Sequence, residues 1–186
     1  MALTKTPVCD FGKKAEDFKL KSINNKVVTL NDIKGEKATL VMFICNHCPY
    51  VKAIIKDLSE DCNELKKDGI SSVAIMSNDT KSYPEDSFDN MIKFAESNNF
   101  RNMNYLFDET QDVAKKYGAV CTPDFFGYNK NLELQYRGRI RELKNLKPVD
   151  SGDSDLFIAM KQIAKTGNGP KDQIPSMGCN IKWFNN

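Results

Sequence analysis

The stretch KATLVMFICNHCPYV (residues 37–51) decides how the rest of the chain is read. Lys37 to Ile44 is a nearly continuous apolar run, the pattern of a strand covered on both faces in a partly parallel sheet. It leads straight into Cys45-Asn46-His47-Cys48-Pro49, where Pro49 suits the first turn of a helix. Beyond it Val51, Ile54, Ile55, Leu58, Cys62 and Leu65 keep helical spacing, and Gly69 suits the helix end. A helix N-terminus carries partial positive charge and unpaired N–H groups, so it favours a thiolate over a thiol. Two cysteines three positions apart at such a place make a two-electron dithiol/disulfide couple. On this reading Cys45 attacks and Cys48 resolves. His47, the sole histidine of the chain, supplies a cationic or donating imidazole beside Cys45. That imidazole stabilises the thiolate and raises the reduction potential, toward about −180 mV and away from about −270 mV.

Working outward, Phe18 to Ser22 and Lys26 to Leu30 flank Asn24-Asn25 as a short hairpin. Ile70 to Ser77 is a second buried strand. Ser87 to Ser97 reads as a helix with Asp86 or Ser87 as its N-cap. Asn104 to Phe107 follows as a short strand, and Thr110 to Tyr117 as a helix ended by Gly118. Phe125 to Tyr128 and Leu132 to Arg139 form a hairpin around Asn129-Lys130-Asn131. Residues 142–152 are polar and irregular, Leu156 to Ile163 belong to a closing helix, and the end of the chain is extended. The order β-β-β-α-β-α-β-α-β-β-α is a mixed sheet covered by helices. At 186 residues, against about 150 per domain, one domain (1–186) is expected. It carries an N-terminal arm at 1–13 and a C-terminal tail at 167–186.

Composition narrows the chemistry. The 27 basic and 25 acidic residues nearly cancel, leaving no field that would recruit nucleic acid or an anionic membrane. Four arginines and one histidine leave little for arginine phosphate clamps or multi-histidine metal centres. No stretch approaches the ~20 apolar residues of a membrane span, and Met1 to Lys14 has no apolar signal core, so a cytoplasmic location is expected. Cysteines stand at 9, 45, 48, 62, 121 and 179, unevenly for a disulfide scaffold. There is no second pair to complete a zinc site, so no metal and no cofactor is assigned. A nucleotide-binding fingerprint is also missing, so electrons would come through a separate thiol reductase system. Cys62 lies on the apolar helix face and reads as core.

The cysteine motif, its strand and helix, and Thr122-Pro123 entering a later strand resemble the thioredoxin superfamily. FICNHCPYV (43–51), MSND (76–79), YPEDS (83–87), GAVCTPDFF (118–126), YRGRI (136–140) and GCNIKW (178–183) resemble its peroxiredoxin-like branch, labelled AhpC/TSA-like. The resemblance implies a three-layer α/β/α fold with a mixed central sheet, an N-terminal β-hairpin and a C-terminal tail extension. It implies a cis Pro123 facing the cysteines. The Thr122 backbone then offers hydrogen bonds to an extended peptide, with Cys121 close by and Phe125 and Phe126 lining the groove. The resemblance offers Cys179 as a resolving cysteine that folds back, as C-terminal cysteines do in two-cysteine peroxiredoxins; the alternative is a packed tail residue anchored by Trp183.

True peroxiredoxins carry Pro-Xaa-Xaa-Xaa-Thr-Xaa-Xaa-Cys and an assisting arginine. Aligned on Cys48, the threonine position is Cys45 and the proline position is Val41, leaving Arg139 or Arg137 as the peroxide-binding arginine. The implied function is a thiol–disulfide oxidoreductase in redox and antioxidant homeostasis, cycling Cys45 and Cys48. Its substrates are protein or low-molecular-weight disulfides. The alternatives are a thiol peroxidase with Cys48 peroxidatic, and a Cu(I)- or zinc-binding module built on Cys45, Cys48 and His47 with Cys121 or Cys179. For the first role both thiols must face residue 123 and be within reach of solvent.

Overall fold

Along the strand Ala38–Phe43 every residue is buried, and successive side chains serve different cores. Leu40 and Met42 join one apolar cluster, Val41 and Phe43 the other. Period-two alternation with both faces covered is what a continuous apolar strand requires. The structure, a computed structural model, describes residues 3–184.

In chain order the strands are β1 (Leu3–Lys5), β2 (Lys19–Ser22), β3 (Val27–Thr29), β4 (Ala38–Phe43), β5 (Ile70–Met76), β6 (Met103–Phe107), β7 (Cys121–Thr122), β8 (Asp124–Asn129), β9 (Leu134–Tyr136), β10 (Leu143–Lys144), β11 (Lys147–Pro148) and β12 (Met177–Asn180). The helices are α1 (Leu30–Ile33), α2 (Pro49–Lys67), α3 (Phe88–Ser97), α4 (Asp112–Tyr117) and α5 (Asp155–Thr166). The main sheet runs β3-β2-β6-β5-β4-β8-β9, with β4, β5 and β6 parallel and the flanking strands antiparallel. Buried residues of α2, α3 and α5 pack on one face, and those of α1 and α4 on the other. The expected three-layer α/β/α arrangement with a mixed central sheet is therefore present.

Local signals placed most boundaries. Asn25 turns the β2–β3 hairpin with φ of 62°, and Gly69, Gly118 and Gly167 follow α2, α4 and α5 with φ of 78°, 66° and 78°. Ser154 caps α5 by accepting from Phe157 N–H.

Other expectations are corrected. Thr29 does not continue the hairpin strand through Leu30: with Asp32 it closes a capping box that starts α1. The irregular stretch 142–152 contains the β10–β11 hairpin. Tail and arm are not loose additions, because β12 pairs with β1 on one side and with β7 on the other, making a second, three-stranded sheet. Residues 1–2 of the arm and 185–186 of the tail lie outside the described residues. Trp183 does not anchor the tail, being 38% exposed; strand pairing does. Among the described residues no helix is long and apolar enough to cross a membrane.

Candidate active site

The β4–α2 junction sets the two cysteines at different places. Because α2 begins at Pro49, Cys48 is its N-cap and Cys45 lies in the connection between strand and helix. β4 pairs with β8, and the residues that precede β8 fold across the junction. The Thr122–Pro123 peptide bond there is cis. Cys45 Sγ lies 3.3 Å from Thr122 Oγ1, and Cys48 Sγ lies 3.1 Å from the Thr122 carbonyl. The two thiols therefore face residues 122 and 123.

A third sulfur completes the group. Cys179 Sγ is 3.0 Å from Cys48 Sγ, brought there because Cys179 pairs with Thr122 in the β7–β12 ladder. β12 thus occupies the very edge that the sequence offers to a substrate peptide. All three sulfurs are enclosed: Cys45, Cys48 and Cys179 are 1%, 0% and 4% exposed. Proximity to Pro123 is as expected, whereas direct access from solvent is not.

The environments of the two motif cysteines are opposite in effect. The Cys48 thiol is pushed down, first by the hydrogen bond from Cys45, with burial opposing and the Cys179 thiol and the Val51 and Cys179 amides reinforcing. Val51 is the third residue of α2, although no bond of capping geometry closes onto the sulfur. In its thiol form Cys48 donates to the Thr122 carbonyl. Cys45 is pushed well up, by its hydrogen bond to Cys48, by burial and by the Asp86 charge. Burial and the Cys48 contact raise Cys179 to about 12.

Asp86 is the organising residue that the sequence reading missed. Wholly buried, it accepts at Oδ1 from the Asn46 and His47 amides (2.8 and 3.3 Å), and at Oδ2 from Asn78 Nδ2 (2.7 Å). His47 Nδ1 lies 2.7 Å from the same Oδ2. The YPEDS stretch marked its position, but Asp86 was read as a helix cap. Ser87 takes the N-cap position of α3, without a side-chain bond, which leaves the Asp86 carboxylate free to grip the cysteine loop. Asn46 is held from its far side by the Tyr105 hydroxyl, at 2.9 Å. His47 consequently pairs with Asp86, stacked on Tyr83 at 5.5 Å and 6°, and it does not bond to Cys45. The hydrogen bond to Asp86 raises its pKa, with burial opposing. The imidazolium charge is offset by the carboxylate beside it, so the expected rise in reduction potential loses its basis.

Cys45, His47 and Asp86 place one donor atom each within 4.8 Å of one another, the atom types of a zinc or copper seat. The Asp86 oxygens, however, already serve the two loop amides, Asn78 and His47. The donor set is committed to holding the loop.

The remaining candidates lie apart. Cys121 Sγ lies 3.5 Å from the Pro123 carbonyl, and burial pushes its thiol up. Arg137 is bound to the buried Asp124 at 3.0 Å and to the Gly118 carbonyl at 2.7 Å. Arg139 is taken by Asp155 at 2.7 Å and Glu142 at 3.6 Å. It lines a cavity of about 270 Å³ with Pro123, Tyr50 and Met177. Both guanidinium groups are held in ion pairs, and among the described hydrogen bonds neither reaches a sulfur. Phe125 and Phe126 are packed into the two cores and line no groove. Cys62 is core, as expected, and burial raises its thiol to about 12.

The model of the AhpC/TSA family matches residues 11–143. No curated protein matches. Among solved structures, an uncharacterized conserved protein from Geobacillus kaustophilus is 40% identical with a TM-score of 0.93, over 99% of this chain and 97% of that one. Hypothetical protein SMc02350 from Sinorhizobium meliloti 1021 is 35% identical with a TM-score of 0.89, over 97% and 98%. The thioredoxin domain of thiol-disulfide oxidoreductase BVU-2223 from Bacteroides vulgatus shares the fold at 20% identity, with a TM-score of 0.59 over 74% and 91%.

Proposed function

Because the chain belongs to the AhpC/TSA family and has a thioredoxin-like fold, we propose that it is a thiol–disulfide oxidoreductase cycling Cys45 and Cys48 between dithiol and disulfide. One observation carries this reading. Two thiols meet at the start of α2 against Thr122, and their surroundings push Cys48 down and Cys45 up.

The division of labour is the reverse of the sequence expectation. Cys48 is the nucleophile, because it stands at the N-cap position of α2 and collects the donors, while Cys45 sits beside the Asp86 charge. The Cys48 thiolate attacks a disulfide sulfur of the substrate, forming a mixed disulfide and releasing one substrate thiolate. Cys45 then loses its proton and attacks Cys48 Sγ. The Cys45–Cys48 bond forms, and the second substrate sulfur leaves with the electron pair and takes up a proton. The substrate gains two electrons and the protein loses two. A separate thiol reductase restores the dithiol. Asp86 and His47 hold the loop and touch no reacting sulfur. With β12 in place the requirement that both thiols be within reach of solvent is not met, so entry of a protein disulfide requires β12 to move off the Thr122 edge.

Insulin-disulfide reduction driven by dithiothreitol tests this. Wild type is expected to accelerate it, Cys48→Ser to abolish the acceleration, and Cys45→Ser to accumulate mixed disulfide. No acceleration by wild type would end the reading. One observation favours a second reading, a thiol peroxidase: the depressed thiol is Cys48, where the family resemblance puts the peroxidatic cysteine. Peroxide consumption that survives Cys45→Ser and vanishes in Cys48→Ser would install it.

A further inference from the structure

β12 approaches β7 more closely than a side chain would permit. A Cβ on Gly178 would fall 2.0 Å from the Thr122 carbonyl oxygen and 3.0 Å from the Pro123 nitrogen, both backbone atoms with no room to yield. Glycine there lets the next residue, Cys179, sit level with Thr122 and bring its sulfur 3.0 Å from Cys48. The strand is fastened at both ends. Ser176 Oγ donates to the Pro123 carbonyl at 2.9 Å, and the Lys182 amide donates to Asn78 Oδ1 at 2.9 Å. An extended segment thus lies on the peptide edge and presents a cysteine to Cys48, the posture a disulfide-bearing substrate would adopt.

We infer that Cys179 is an internal exchange partner of the Cys45–Cys48 disulfide, and that the strand carrying it thereby closes the peptide edge. The inference rests on the oxidoreductase reading and adds a third redox state to it. Starting from the Cys45–Cys48 disulfide, Cys179 gives up its proton and attacks Cys48 Sγ. The Cys48–Cys179 bond forms, the Cys45–Cys48 bond breaks, and Cys45 leaves with the electron pair and takes up a proton. The exchange consumes no external oxidant or reductant. With Cys45 bonded to Cys48, β12 is held by hydrogen bonds and is free to unpair. With Cys48 bonded to Cys179, the strand is covalently fixed across Thr122 and an external peptide is shut out. Cys121 and Cys62 take no part: the first contacts the Pro123 carbonyl and the second lies in the core.

The test is disulfide mapping by mass spectrometry on the full chain, equilibrated in glutathione redox buffers, trapped by acid and alkylated. Wild type is expected to give both the Cys45–Cys48 and the Cys48–Cys179 links. Cys45→Ser should give the second as its sole internal link, and Cys179→Ser the first. In oxidised Cys45→Ser the amides of residues 177–182 should exchange hydrogen more slowly than after reduction. A folded Cys45→Ser that never forms the Cys48–Cys179 link overturns the inference. If that variant does not fold, absence of the link from wild type at every buffer composition does the same. The two readings fail separately. Insulin reduction by wild type without the Cys48–Cys179 link sinks the exchange alone. The link without insulin reduction by any form sinks the oxidoreductase reading.

Discussion

At the scale of single residues, the site is governed by where hydrogen-bond donors go. Cys45 and Cys48 are chemically identical, and their difference is imposed by neighbours: Cys45, Cys179 and the start of α2 serve Cys48, and Asp86 opposes a charge on Cys45. The largest single influence on Cys48 is the Cys45 thiol. Replacing it by Cys45→Ala is therefore expected to raise the Cys48 titration midpoint, read from thiolate ultraviolet absorbance; an unchanged midpoint would contradict the assignment. Hydrogen bonds to a buried carboxylate contribute about 1.5–3 kcal/mol each, so the grip of Asp86 on the Asn46 and His47 amides holds the loop firmly. The His47–Asp86 pair also makes stability depend on pH. His47 has a folded pKa above its ordinary value of 6.5, so its contribution is full below that value and is lost as pH rises through the raised folded pKa. Urea midpoints of wild type and His47→Gln should differ most at low pH and converge as pH climbs through that window.

Among the elements, β12 has the most consequence and the weakest sequence signature. Four residues with one buried glycine and one buried cysteine show no alternation that would mark a strand. Its place is fixed by its partners, β1 and β7, from near the start of the chain and from just before Pro123. Gly178→Ala forces a methyl group into the Thr122 backbone. The expected cost is about 1–3 kcal/mol, typical of overpacking, together with faster hydrogen exchange in β12 and a loss of the Cys48–Cys179 link. Unaltered exchange would show that the close approach is not needed. The cis-proline edge itself is braced from behind. Asp124 is buried and paired with Arg137, which also stacks on Phe126 at 4.4 Å. Arg137, the alternative to Arg139 for holding peroxide, is thus spent on the scaffold.

For the whole molecule, stability at neutral pH carries a burden where α2 meets α5. Burial raises Asp61 to about 6, with the Ser154 hydroxyl, 2.6 Å away, opposing. A carboxyl raised in the folded state contributes most below its unfolded pKa and loses that contribution as pH rises from near 4 through about 6. Asp61→Asn should therefore be more stable than wild type at pH 7, by about 1 kcal/mol once partial exposure is allowed for. The two should converge below pH 4. Equal stabilities at both pH values would refute this.

Much of the architecture was written locally. The run from Lys37 to Ile44 named a strand covered on both faces, Pro49 and Gly69 bracketed α2, and the two cysteines could only stand where that strand meets that helix. Backbone preference and side-chain period act within a few residues, so a linear reading recovers them. The roles inside the site were decided elsewhere. Asp86 comes from the turn before α3, Thr122 from a two-residue strand, and Cys179 from the far end of the chain. Which thiol ionises and what covers it depend on charges and strand edges brought within a few ångströms by folding. Hydrophobic period states which face is buried and is silent about which distant segment buries it, so those decisions belong to the tertiary structure alone.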